Sequence, residues 1–242
     1  MLRLVFLLLA FAVSLSGAAA IVGGKPSESR AREHTVFLTS SVQDCSGTLI
    51  ARDLVLTAAH CVASGGSFSL STSAGRIRVT ESVIHPAFRR DTYETHKPSP
   101  DIAILKLASD APLPLRPARL ATDRAFPPRG TSFLVAGFGE VREDDRAIGT
   151  FRIVQLNNVG TTGGIMLRLQ PPRNLEPAGS CNGDSGGSAY LAENNVLVLY
   201  GVIAWAGGRD GRKCGLVTGI VLVANQIEWI RATVKRLGSK LE

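Results

Sequence analysis

Asn182-Gly183-Asp184-Ser185-Gly186-Gly187 is too rich in small, turn-forming residues to be a regular helix or strand. Glycines reach backbone angles closed to other residues. Such a turn can leave a serine hydroxyl exposed and aim backbone N–H groups at one neighbouring point. A nucleophilic serine needs that arrangement, together with a base nearby and donors for an oxyanion. Gly, Asn, Asp and Ser also dominate ordinary surface turns. The stretch fits the Gly-x-Ser-x-Gly pattern of a strand–helix elbow in an alternating α/β sheet as well. Its meaning depends on what surrounds it.

Short apolar runs rich in β-branched residues surround it: Thr48–Ile50, Leu54–Thr57, Ile77–Ile84, Ile102–Leu107, Phe133–Val135, Phe151–Leu156, Ile165–Leu169, Val196–Ala204 and Gly219–Val223. Clusters of Gly, Pro, Asn, Asp or Ser separate many of them, the pattern of an all-β sandwich or barrel. Between Asp110 and Gly130 lie Pro112, Pro114, Pro117, Pro127 and Pro128, which predict an extended connection between two β lobes. Helical spacing occurs over Ala224–Leu237, through Ile227, Ile230, Val234 and Leu237, with Gly238 beyond the end. The expectation is that this helix docks on the second lobe. Without alternating helices the elbow architecture is rejected.

The chain opens with Arg3, an apolar run Leu4–Val13 and small residues Ser16–Ala20, the layout of a secretory signal peptide. The run is too short for a comfortable membrane span, so residues 1–20 are expected to be removed and the mature chain to be exported without stable membrane insertion. In an exported chain, four cysteines favour two disulfides over a metal site. Cys45 and Cys61 bracket one short segment, Cys181 and Cys214 another. The net charge is +7, but the basic residues are scattered, without aromatic interleaving. They read as a solvated surface, and no nucleic-acid partner is expected.

Thr57-Ala58-Ala59-His60-Cys61 follows a short apolar run, placing an imidazole at a strand end beside a cysteine. A neutral histidine is the usual base for a serine hydroxyl. His34, His85 and His96 lack such a context and read as structural. Asp101 precedes Ile102-Ala103-Ile104-Leu105, where a carboxylate entering a buried strand is costly unless paired. A histidine N–H would satisfy it, fix the tautomer and stabilise the imidazolium. The order His60, Asp101, Ser185 also differs from the Ser–acid–His order of the elbow proteins.

With Ile21-Val22-Gly23-Gly24 and the segment around Trp205, these motifs resemble the trypsin/chymotrypsin-like serine peptidases over essentially the whole mature chain. The resemblance implies two six-stranded antiparallel β-barrels with the active site in the cleft between them, plus a C-terminal helix. The expected boundaries are about 21–118 for the N-terminal barrel, 119–223 for the C-terminal barrel and 224–237 for the helix. It implies Ser185 as nucleophile, His60 as general base and acid, Asp101 as its orienting partner, and the N–H groups of Gly183 and Ser185 as oxyanion hole. It pairs Cys45 with Cys61 and Cys181 with Cys214, and makes Asp184 the partner of a freed Ile21 ammonium. Protein or peptide substrates follow, with a protein inhibitor as a further partner, a monomeric state and no cofactor. The loop after Gly65 lacks carboxylate pairs, so no calcium or other metal site is expected.

Several positions depart from the family pattern. Ala18-Ala19-Ala20, not a basic residue, precedes Ile21, so signal removal itself is expected to expose the activating terminus. The pocket floor falls at Gly179, where a trypsin-type enzyme would carry Asp. With Ser180, Trp205, Ala206 and Gly219 assigned to the pocket, apolar aromatic or mid-sized aliphatic substrate side chains are expected ahead of basic ones. Ala204 replaces a serine common beside the catalytic Asp. The loop from Gly207 to Lys213 looks extended and is read as solvated. The third cysteine pair of animal members is missing.

Overall fold

A computed structural model describes residues 21–91, 95, 98–143, 148–173 and 175–242. The signal-like segment 1–20 and His96 lie outside the described residues.

Strand β1 (Lys25–Pro26) opens the chain, and the next six strands close into a barrel: β2 (Thr35–Ser40), β3 (Cys45–Ala51), β4 (Leu54–Thr57), β5 (Phe68–Thr72), β6 (Gly75–Ile84) and β7 (Ala103–Leu107). The order around it is β2-β3-β4-β7-β6-β5, antiparallel throughout. After β8 (Arg119–Leu120) a second set follows: β9 (Ser132–Gly137), β10 (Arg152–Thr162), β11 (Met166–Gln170), β12 (Ser188–Glu193), β13 (Val196–Gly207) and β14 (Val217–Leu222). Its order β9-β10-β11-β14-β13-β12 returns to β9, closing a second antiparallel barrel. The two-barrel expectation therefore holds. The first barrel's strands begin at Thr35, because β1 crosses over and pairs with β10 of the second barrel.

Alternation along the strands explains why the runs read as continuously apolar. In β7, Ala103, Leu105 and Leu107 fill the first barrel with Leu38, Leu49, Val55 and Leu70. Ile104 on the opposite face joins a different cluster, with Leu54, Leu56, Tyr190 and Val202. Phe133, Val135, Leu167, Leu169, Ile203 and Ile220 fill the second barrel. Both faces of the strands at the junction are thus withdrawn from water, and successive residues are apolar. Four hydroxyls cross the dry junction. Thr35 Oγ1 lies 3.0 Å from the Tyr190 hydroxyl and 3.1 Å from Ser188 Oγ, which is 2.6 Å from Thr48 Oγ1. Burial pushes the Tyr190 phenol up to about 12, so it stays a neutral hydrogen-bonding group.

The C-terminal helix differs from expectation in start and in partner. Ala224–Gln226 form a 3₁₀ turn, and the α-helix runs over Ile227–Arg236. It packs on the first lobe as well as the second. The Trp229 indole lies 4.8 Å from the His85 imidazole, and Lys106 Nζ of β7 donates to the Leu237 carbonyl at 3.1 Å. Lys106 also pairs with Asp53, whose other oxygen accepts from Ser239 Oγ at 2.8 Å. The helix thereby returns the chain end to the first barrel.

Candidate active site

The register between two neighbouring strands sets the first half of the site. Thr57 at the end of β4 pairs with Ala103 at the start of β7. The one-turn helix α1 (Ala59–Val62) after β4 therefore rises beside the residues that enter β7. His60 sits on that turn and Asp101 on that entry. His60 Nδ1 is 2.7 Å from Asp101 Oδ2, and the His60 backbone N–H donates to Oδ1 at 2.9 Å. Asp101 is fully buried, and these two bonds satisfy a carboxylate that would otherwise be strongly unfavourable there. The Cys45–Cys61 disulfide anchors the turn to β3.

The second half is the Gly-rich turn, pressed against the first barrel. Gly183 and Gly186 have φ of +86° and +81°, angles that favour glycine. A Cβ on Gly186 would also stand 2.1 Å from Thr57 Oγ1. The Asn182 carbonyl accepts from Glu140 N–H at 2.7 Å, and the Asp184 carbonyl from Gly187 N–H at 2.8 Å. Those bonds turn the opposite ends of the same peptides, the N–H groups of Gly183 and Ser185, away from the turn, and no described residue accepts from either. Ser46 of β3 clamps the arrangement. Its N–H donates to the Ser185 carbonyl at 2.8 Å, and its Oγ donates to the Gly183 carbonyl at 2.9 Å while accepting from Phe138 N–H at 3.0 Å. His60, Gly183 and Ser185 line one cavity of about 270 Å³. The Cys61 sulfur stands 3.9 Å from His60 Nε2 and 3.7 Å from the Ser185 carbonyl oxygen. A larger cavity of about 460 Å³, between residues 28–37 and 112–115, contains none of the predicted site residues.

Asp184 points away from this cavity. Its Oδ1 accepts from Gly139 N–H at 2.8 Å and its Oδ2 from Cys181 N–H at 2.9 Å. Burial raises its pKa to about 7; the two backbone donors oppose the rise and the nearby Glu140 adds to it. Ile21 is likewise fully buried. Its neighbour Val22 bridges to Gly179, whose N–H donates to the Val22 carbonyl at 3.0 Å.

The pocket residues fall beside that bridge. Gly179 packs on the Gly215–Leu216 backbone, and the Cys181–Cys214 disulfide closes the segment. Ser180 is fully buried, and both its N–H and its Oγ reach Thr218 Oγ1, at 2.9 and 3.0 Å. Thr218 pairs with Ala206 across β13 and β14 and was not singled out in the sequence. Gly219, which was, lies under the Trp205 indole, where a Cβ would be 2.1 Å from Cε2. Ala204 is fully buried. Arg209, Arg212 and Lys213 of the extended loop stay exposed, as the solvated reading expected. His34 Nδ1 meets the Arg116 carbonyl at 2.9 Å and His85 packs against Trp229 with the rings tilted by 57°, both structural contacts.

Two closed antiparallel barrels, a His–Asp pair and a serine turn at their junction define a serine hydrolase of the chymotrypsin-like fold. A family model described as Trypsin matches residues 21–230. The chain is 28% identical to Serine protease SP24D of Anopheles gambiae, covering 90% of this chain and 82% of that protein. It is 26% identical to Trypsin of Sus scrofa, covering 88% and 95%. It is 31% identical to Serine protease Hayan of Drosophila melanogaster, covering 77% of this chain but 34% of that longer protein. The chain belongs to the trypsin family, and it is a serine endopeptidase acting on protein or peptide substrates.

Proposed function

We propose that Ser185 is the nucleophile of acyl-enzyme chemistry, that His60 takes its proton and returns it to the leaving amine, and that Asp101 holds the His60 tautomer and stabilises the imidazolium. The observation that carries this reading is the doubly bonded His60–Asp101 pair sharing one cavity with Ser185. The Gly183 and Ser185 N–H groups, turned outward by the bonds on the Asn182 and Asp184 carbonyls, bind the developing oxyanion, a contact that strengthens only as charge appears. Removal of residues 1–20 during export frees the Ile21 ammonium to pair with buried Asp184. An active-site-directed fluorophosphonate tests the assignment: it labels the secreted enzyme and does not label Ser185→Ala or His60→Ala. Equal labelling of Ser185→Ala overturns it.

The acyl-side pocket takes small to mid-sized aliphatic side chains. Gly179, Ser180, Trp205, Ala206 and Thr218 bring no carboxylate to it, so a substrate Lys or Arg would be buried without a counter-charge. The Thr218 side chain, hydrogen-bonded to Ser180 Oγ at 3.0 Å, takes up space beside Gly179 that a glycine at position 218 would leave open, which favours aliphatic over aromatic side chains. A peptide library would refute this by returning Arg or Lys as the preferred residue before the cleaved bond.

A further inference from the structure

The cavity that holds Ser185 and His60 continues away from the acyl-side pocket. Its walls include Gln43, Asp44 and Cys45 of the first barrel, and Glu140, Ile148 and Asn182 of the second, and exclude Gly179, Ser180 and Trp205. In the reaction proposed above, His60 gives its proton to the leaving amine, so the departing half of the substrate lies alongside His60, within this cavity. The direction in which the product chain leaves is thereby fixed by the position of the general acid.

Among the described residues lining the cavity, two are carboxylates and none is Lys or Arg. Glu140 is only 7% exposed. Its Oε2 accepts from Asn182 Nδ2 at 2.8 Å, while no described residue donates to Oε1. Asp44 uses Oδ1 to accept from Ser40 N–H at 3.2 Å, and no described residue donates to its Oδ2. Glu140 Oε1 is left open to the cavity, where it can accept from an incoming donor. It stands at the wall of the cavity that the leaving half of the substrate enters, on a chain whose net charge is +7.

We propose that this cavity receives a Lys or Arg side chain from the leaving half of the substrate, so that the enzyme selects bonds followed within two residues by a basic residue. The inference rests on the acyl-enzyme reading. A cation entering here donates to Glu140 Oε1 and Asp44 Oδ2, and the low-dielectric wall strengthens both contacts relative to water. The enzyme would then be apolar in its choice before the bond and basic in its choice after it.

Internally quenched peptides with one aliphatic acyl half, varied to Lys, Leu or Glu at the two positions after the bond, test this. The expected kcat/KM for Lys exceeds that for Leu by about tenfold, and Glu is the poorest, the scale of one well-placed charge contact. The preference shrinks at high salt, where the Debye length falls from about 10 Å at 0.1 M to about 3 Å at 1 M. Glu140→Gln, which keeps an acceptor for Asn182, combined with Asp44→Asn brings the Lys-to-Leu ratio to about one. If that variant fails to fold, the salt dependence of the wild-type ratio decides. A wild-type enzyme that hydrolyses the matching p-nitroanilide but treats Lys and Leu alike overturns this inference and leaves the acyl-enzyme reading standing. A wild-type enzyme that neither hydrolyses the p-nitroanilide nor takes up fluorophosphonate overturns both.

Discussion

Under the proposed activation, Asp184 should make a chain that retains residues before Ile21 and one that begins at Ile21 respond to pH in opposite directions. With residues 1–20 attached, Asp184 is fully buried, accepts two backbone N–H bonds and has its pKa raised from 3.8 to about 7, chiefly by burial. The sign follows from linkage: between those values the folded chain holds a proton that the unfolded chain has released. Its stability therefore falls as pH rises through the interval and is not regained above it. At about 1.4 kcal/mol per pH unit, the loss approaches about 4 kcal/mol, a large share of the 5–15 kcal/mol typical of a domain. A free Ile21 ammonium paired with Asp184, as proposed, would reverse the sign. It favours the Asp184 carboxylate, so the pair stabilises the mature fold above the ordinary carboxylate range and is lost only as the amine deprotonates in alkali. The assay is urea unfolding of two Ser185→Ala chains, one beginning at Ile21 and one retaining Ala19-Ala20, between about pH 4 and pH 8. The extended chain should lose stability with rising pH relative to the mature one, by up to about 4 kcal/mol. Other titrating groups are common to both chains and cancel in the comparison. Parallel profiles, or an extended chain that gains relative stability as pH rises, would refute the reasoning.

Ser46→Ala leaves the Phe138 N–H and the Gly183 carbonyl without their buried partner, so urea unfolding should show a loss of about 2 kcal/mol. Steady-state kinetics should show a fall in kcat larger than any rise in KM, since the clamp acts on the oxyanion turn. Thr218→Gly removes the side chain that meets Ser180, and kcat/KM for an aromatic residue before the cleaved bond should rise about tenfold relative to alanine, measured on paired p-nitroanilides. Tyr190→Phe deletes one hydroxyl from the junction and should cost about 1 kcal/mol by urea unfolding while leaving fluorophosphonate labelling intact.

What the sequence discloses and what it hides divide along physical lines. The barrels are legible because alternation survives even where both strand faces are buried, and because turn residues punctuate the runs. The placement of the candidate site is legible because His60, Asp101 and Ser185 each stand at the end of a recognisable apolar run or turn, and the β4–β7 register carries two of them together. The pocket is less so. Between Cys214 and the final helix lie Gly215 and Gly219 but no proline, so nothing in the sequence pins the register of the strand, and a slip of one residue exchanges its two faces. The sequence singled out Gly219, whereas the β13–β14 pairing sets Thr218 opposite Ala206 and against Ser180. Glu140 was hidden for a different reason. In Phe138-Gly139-Glu140-Val141-Arg142-Glu143 it looks like one more surface acid, and nothing local predicts its burial. Burial comes from a residue 42 positions later: Glu140 donates its N–H to the Asn182 carbonyl and accepts from the Asn182 side chain. The same contact that orients the Gly183 N–H therefore also draws a carboxylate to the wall of the leaving-group cavity. A change at Glu140 should accordingly disturb two properties together, the oxyanion turn through its backbone and the choice of leaving group through its side chain, and only Glu140→Gln, which preserves the first, can isolate the second.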